Sequence, residues 1–167
     1  MKTREFKFIL LIALLMLPLG LISIESKEFD DFFDAQDERE LEKIQKREEL
    51  IKKLSDKYIL TFFYVGNEVS SKDAAKYLQN LAIKYNWLTY AISLDGVFID
   101  GFENNKINNG VYDEFQNRSN APYRNFKGPS LFLFNLQNND VCWIVSGSSE
   151  FEVLEDLIYA KHHYFGL

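Results

Sequence analysis

Tyr58-Ile59-Leu60-Thr61-Phe62-Phe63-Tyr64 is a run without a charged residue, dominated by aromatic and branched apolar side chains. A continuous apolar stretch of this length predicts a strand buried on both faces of a sheet. Beyond it, Ala74, Ala75, Leu78, Leu81, Ala82 and Tyr85 recur at helical spacing, which predicts a helix over Ser71–Tyr85. Ser70 is the expected cap, with Asp73 three residues later completing a capping box. Trp87–Leu94 (WLTYAISL) reads as a second strand, and residues 95–109 as a long Gly/Asn-rich loop leading to a short helix near Gly110–Arg118. Ser130–Leu136 and Val141–Ser146 read as strands joined by the hairpin connection Gln137-Asn138-Asn139-Asp140. Ser149-x-x-Glu152 opens a last helix ending near Tyr164.

The order βαβαββα is that of an α/β, thioredoxin-like core. A right-handed crossover pairs the first two strands in parallel, and the closing hairpin extends the sheet antiparallel. Gly128-Pro129 immediately precedes the third strand, and proline fits a sheet at the first position of a strand or on an edge. X-Pro bonds are mostly trans, but a thioredoxin-like order places a cis-proline at this point, facing the start of the first helix. Pro129 is therefore expected to be cis.

Composition removes several function classes. The 167 residues suit one domain, and 16% aromatics are too many for a disordered chain. With 19 basic against 25 acidic residues the net charge is −6, which argues against direct nucleic-acid binding. The single cysteine, Cys142, excludes an intrachain disulfide, a C-x-x-C pair and a multi-cysteine zinc site. His162 and His163 are consecutive, so they leave different faces of a helix and cannot hold one metal together. No cofactor or metal is expected.

Lys2, Arg4 and Lys7 precede an uncharged run, Phe8–Ile24, that contains Pro18 and Gly20 and gives way to Glu25, Glu28, Asp30 and Asp31. This reads as an export signal over residues 1–26. As a helix the run would be about 26 Å long, close to the hydrocarbon thickness, so it serves either as a cleaved signal peptide or as a signal anchor tethering the chain. Ser23 and Ser26 are the candidate cleavage points, neither in a clean A-x-A context. Both alternatives place the rest in an exported compartment, the periplasm, either free or anchored to the inner membrane. Residues 27–57 read as a charged helical spacer, with the helix over Asp37–Lys57, and residues 58–167 as the thioredoxin-like domain. Glu42–Lys46, Glu48–Lys52 and Glu49–Lys53 are i,i+4 pairs in the favourable order. The sparse apolar residues Leu41, Ile44, Leu50, Ile51 and Leu54 fit a helix that docks by its C-terminal half.

Phe62-Phe63-Tyr64, Lys84-Tyr85-Asn86-Trp87, Ser93-Leu94-Asp95-Gly96, Asn109-Gly110 and Pro129-Ser130-Leu131-Phe132-Leu133 together resemble the TraF/TrbB branch of conjugal-transfer proteins. The resemblance covers about residues 58–160. It implies an exported thioredoxin-like protein serving F-type conjugative type IV secretion, in pilus assembly or disulfide isomerisation. It also implies partners among the other proteins of that transfer machinery. The redox-active members carry C-x-x-C after the first strand, and ungapped alignment puts Glu68 and Ser71 at those two positions.

That departure bears on chemistry. Disulfide exchange needs an attacking thiolate and a second thiol to resolve the mixed disulfide, and a serine hydroxyl supplies neither. Glu68 and Ser71 near a helix start are favoured for structural reasons alone. No histidine is nearby in sequence to activate a serine, and there is no G-x-S-x-G. Asp95 and Asp100 flank glycines and suit turns, since no calcium-binding loop follows. Cys142 reads as a small buried hydrophobe.

Two readings follow. In the first the chain is a non-catalytic binding module whose groove lies between the Gly66–Ser71 loop and Gly128-Pro129. That groove is expected to take extended peptide by backbone pairing, with Tyr64, Tyr123 and Phe126 lining it. In the second it is a thiol-disulfide enzyme working through Cys142 alone.

Overall fold

Strand β1 (Tyr58–Tyr64) lies at the centre of a five-stranded sheet because both of its faces have apolar cover. The computed structural model describes residues 19–122, 126 and 128–162. Alternation sends Leu60, Phe62 and Tyr64 to one face, where they join Ala74, Leu78, Phe151 and Ile158. Phe63 points to the other face and meets Tyr112, Phe115 and Phe132, with ring centroids 4.8, 5.3 and 5.6 Å away. Offset and edge-on aromatic pairs of this kind stabilise beyond the area they bury.

Helix α1 runs over Leu19–Ser55, well before the expected start at Asp37. Past Gly20 nothing in the stretch up to residue 36 breaks a helix, and the interspersed acids are readily solvated. The chain divides into two compact units, residues 1–45 and 46–167. In the first, Phe32, Leu41 and Ile44 are exposed and Glu40 pairs with Lys43 at 2.7 Å. Residues 8–18 of the uncharged run, and the basic flank before it, lie outside the described residues. Among the described residues no helix is long and apolar enough to cross a membrane. In the second unit the end of α1 contributes Ile51 and Leu54, both fully buried, to the core. Glu48 pairs with Lys84 at 2.8 Å.

After β1 come α2 (Val69–Tyr85), β2 (Thr89–Ser93), β3 (Asn104–Ile107), α3 (Val111–Arg118), β4 (Ser130–Asn135) and β5 (Val141–Ser146). A 3-10 turn, Ser148–Val153, then leads into α4 (Leu154–Ala160). The sheet order is β3-β2-β1-β4-β5, with β1 parallel to β2 and antiparallel to β4. This mixed α/β sheet is consistent with the expected thioredoxin-like core. β3, which pairs parallel with β2, lies within residues 95–109, where the sequence predicts a loop. The reason is physical: Asn104 and Asn105 are poor strand formers, and the backbone is extended here by pairing with β2 and by side-chain bonds. Asn105 donates to the Ile99 carbonyl at 3.0 Å, and Asn104 to that of Thr89 at 3.4 Å.

Neither expected cap forms. Glu68 is the residue before α2 and makes no side-chain cap bond, while Ser70 lies inside the first turn and donates to Glu68 Oε2 at 3.3 Å. The last helical segment starts as a 3-10 turn behind Gly147, at φ 100°, a conformation that glycine adopts without strain. At the far edge of the sheet, the Trp143 N–H donates to Asn120 Oδ1 at 3.3 Å. Lys161 Nζ donates to the carbonyls of Trp143 and Ile144, at 3.4 and 2.5 Å, and sits 3.7 Å above the Trp143 ring.

Candidate functional site

Where β1 ends the chain turns through Val65–Glu68 into α2, and Ser71 shapes that turn. Ser71 is fully buried and its Oγ accepts the Val65 N–H at 3.1 Å. Glu68, three residues earlier, is exposed. One residue is thus an internal brace and the other a solvated acid at a helix start. They are brought to the same turn but form no catalytic pair.

Asp95, just past β2, provides the second brace. Its Oδ1 accepts from the Gly66 N–H at 2.9 Å, the Ser93 hydroxyl at 2.9 Å and the Val97 N–H at 3.1 Å. Oδ2 accepts from the Asn67 N–H at 3.3 Å and its side-chain amide at 3.4 Å. Desolvation works to raise the carboxyl pKa. The donors from Gly66, Ser93, Val97 and Asn67 outweigh it and hold the group at about 2. Gly66 is required sterically as well: a Cβ there would stand 2.8 Å from Val97 Cβ and run into the Val97 carbonyl. The sequence reading took Asp95 for a turn residue. Its partners Gly66 and Asn67 lie 29 and 28 residues upstream, so no local pattern reveals them.

Two groove assignments need correction. Tyr64 does not line a groove: it is fully buried, stacked on Phe62 at 5.3 Å, because alternation puts it on the same core face. Its hydroxyl donates to Asn105 Oδ1 at 2.7 Å and accepts the Ile99 N–H at 3.4 Å, and burial raises its pKa. Pro129 is not cis, since no cis peptide bond occurs among the described residues. It opens β4 in the ordinary trans form, and its carbonyl accepts the Gly147 N–H at 2.8 Å at the end of the β4–β5 ladder.

Gly128 and Pro129 are both buried. The Phe126 ring lies against Gly128, where a Cβ would come within 2.7 Å of it. The Tyr112 hydroxyl donates to the Phe126 carbonyl and lies 3.4 Å from Ser130 Oγ. Ser130 Oγ stands 2.9 Å from Ser146 Oγ, which accepts the Trp143 indole N–H at 2.9 Å. This part-buried chain of polar groups, which the sequence does not reveal, holds the segment around Gly128. Tyr123 lies outside the described residues, as does His163.

Cys142 sits on β5 opposite Leu133, which in turn faces Leu60. Ser130, beside Pro129, instead faces Phe63. The thiol is therefore about 10 Å along the sheet from the Phe63–Ser130 level, and further still from the turn, at ~3.4 Å per residue. Burial pushes it up to about 11 despite nearby Lys161. A thiol so raised carries almost no thiolate at neutral pH. His162 is taken up locally, stacked on Tyr159 at 5.2 Å with Nδ1 2.6 Å from the Tyr159 carbonyl. Among the described residues no group of three or more His, Cys, Asp or Glu could hold a metal ion.

Two cavities of about 420 Å³ lie away from the turn. One, near Arg47 and Lys84, is crossed by ion pairs: Arg47 with Asp156, and Lys84 with Glu48 and Glu155 at 2.8 and 2.9 Å. Each cation there already holds a carboxylate. The other, beside Ile83, Leu88 and Phe102, is mixed polar and apolar and carries no titratable cluster.

Residues 34–159 match the family model described as TraF, F plasmid transfer operon protein. No curated protein and no solved structure matches the chain.

Proposed function

The chain belongs to the TraF family of F plasmid transfer operon proteins, and from that premise we propose that it is a non-catalytic, exported component of the conjugative type IV secretion machinery. In this reading it acts by holding another transfer protein at the turn between β1 and α2, beside the Gly128-Pro129 segment. The observation that carries the non-catalytic part is Ser71. Its hydroxyl is fully buried and accepts the Val65 N–H, which supports a bracing role over a nucleophilic one, and the one cysteine lies on β5. Against the single-thiol enzyme stands the Cys142 sulfur, half-buried on another strand with its pKa raised to about 11.

The test pairs chemistry with biology. The purified chain is expected to leave insulin disulfides unreduced and scrambled disulfides unrepaired, and its gene to restore conjugative transfer to a donor lacking it, with or without Cys142→Ser. Turnover that survives Cys142→Ser overturns the non-catalytic reading. Turnover that this substitution abolishes puts the single-thiol enzyme first.

The export part of the reading is supported by the Phe8–Ile24 run between basic and acidic flanks. Alkaline phosphatase fused after Leu167 is expected to be active, as it is only outside the cytoplasm. Activity of a cytoplasm-only reporter at the same junction refutes export.

A further inference from the structure

The turn that starts α2 has used its main-chain donors internally. Val65 N–H goes to Ser71 Oγ at 3.1 Å, Gly66 and Asn67 N–H go to Asp95, and Glu68 N–H goes to the Val65 carbonyl at 3.0 Å. The segment on the other side is closed in part. The Gly128 carbonyl accepts the Ser130 hydroxyl at 3.3 Å, the Pro129 carbonyl accepts the Gly147 N–H, and Pro129 has no N–H to give. A strand laid along the turn would find the N–H groups of Val65, Gly66, Asn67 and Glu68 already partnered, and at Pro129 it would find no N–H at all. Strand addition draws its affinity from such main-chain bonds.

Beside the exposed Asn67, Glu68 and Asp95, the two loops present three apolar side chains outward. Val69 is 73% exposed, Phe98 50% and Val97 38%. They are gathered by the same braces: Gly66 lies directly beneath Val97, and Val69 begins α2 three residues beyond Gly66. The exposed carboxylates of Glu68 and Asp100 belong to the same two loops. An apolar patch with acid at its border complements an apolar segment carrying Lys or Arg.

Resting on the binding-module reading above, we infer that this site takes a partner segment by its apolar side chains, flanked by basic residues, and not by strand addition. Asp95 is the residue that decides between the two modes. By consuming the donors of Gly66 and Asn67 it removes the ladder, and by tying Val97 to the turn it builds the patch.

Short overlapping peptides tiling the proteins encoded by the same transfer operon are the probe, bound to the full chain and to its Phe98→Asp and Val69→Asp variants. Both substituted side chains are exposed, and circular dichroism verifies that each variant folds. The expected binders carry apolar residues beside Lys or Arg. They lose roughly tenfold or more in affinity on Phe98→Asp and keep it when their backbone nitrogens are methylated. Loss of binding on methylation overturns this inference and leaves the module reading standing. So does a binder that ignores Phe98→Asp and Val69→Asp but is lost on Phe126→Ala. If no tile binds, both fall.

Discussion

Asp95 and Gly66, on separate loops, are joined by a hydrogen bond of 2.9 Å from the glycine N–H to the carboxylate, and the same oxygen takes donors from Ser93 and Val97. One side chain thereby ties the end of β1 to the end of β2, the two parallel strands at whose carboxyl ends α/β sheets place their sites. Asp95→Ala is expected to cost about 1–2 kcal/mol, the lower part of the range for charged acceptors because this carboxylate is exposed. The folded-state pKa lies near 2, below the unfolded value of about 3.9. The bond therefore stabilises fully above pH ~4 and fades as pH falls through ~2. Urea melts from pH 7 downward check this: wild type is expected to lose stability across that window and Asp95→Asn to lose less.

Ser71→Ala and Glu68→Ala separate the two members of the turn. The first leaves the part-buried Val65 N–H without its acceptor and is expected to cost about 1–2 kcal/mol. The second removes an exposed side chain with no cap bond and is expected to stay within about 0.5 kcal/mol. Chemical denaturation of the two variants side by side measures the difference. Equal costs would show that the Ser71 bond is dispensable.

Cys142 is expected to resist thiol reagents in the native chain. Burial pushes its pKa to about 11, so at pH 7 the thiolate fraction is about 10⁻⁴, and reaction waits on local opening. With DTNB the native protein should react slowly and the urea-unfolded protein at once. Rapid native labelling would mean that β5 opens readily.

Gly128→Ala places a methyl group within 2.7 Å of the Phe126 ring, an overpacking expected to cost about 1–3 kcal/mol. Phe126→Ala clears that space, so the double variant should be more stable than the sum of the single changes allows. Pro129→Ala is milder, about 1 kcal/mol or less, because a trans proline contributes mainly by restricting the unfolded chain. Thermal melts of the four variants test both statements.

The strands and helices with strong periodicity were legible: Tyr58–Tyr64 and the stripe from Ala74 to Tyr85 stand where spacing puts them. β3 was not, because Asn104-Asn105-Lys106-Ile107 has no alternation of its own and is extended by its neighbour. The position of the turn could be read from Glu68 and Ser71, but its workings could not. Ser71 reaches six residues back, Asp95 nearly thirty, and Tyr64 has partners beyond β2. Such contacts exist only once the sheet has brought distant segments together. The cis-proline expectation failed for a related reason. It rested on position in an order of elements, whereas the isomer is set by local bonding around Pro129.

Lys161, lying across the outer carbonyls of β5, has a consequence for self-association. A sheet with two open borders can grow into a fibre, each copy offering one border to the copy before and the other to the copy after. Here the β5 border is occupied at Trp143 and Ile144 by Lys161 and Asn120, while β3 is the other border of the sheet. Growth through the β5 border would first have to displace those two side chains. Lys161, carried on the segment after α4, thereby shields part of this border from pairing with another strand.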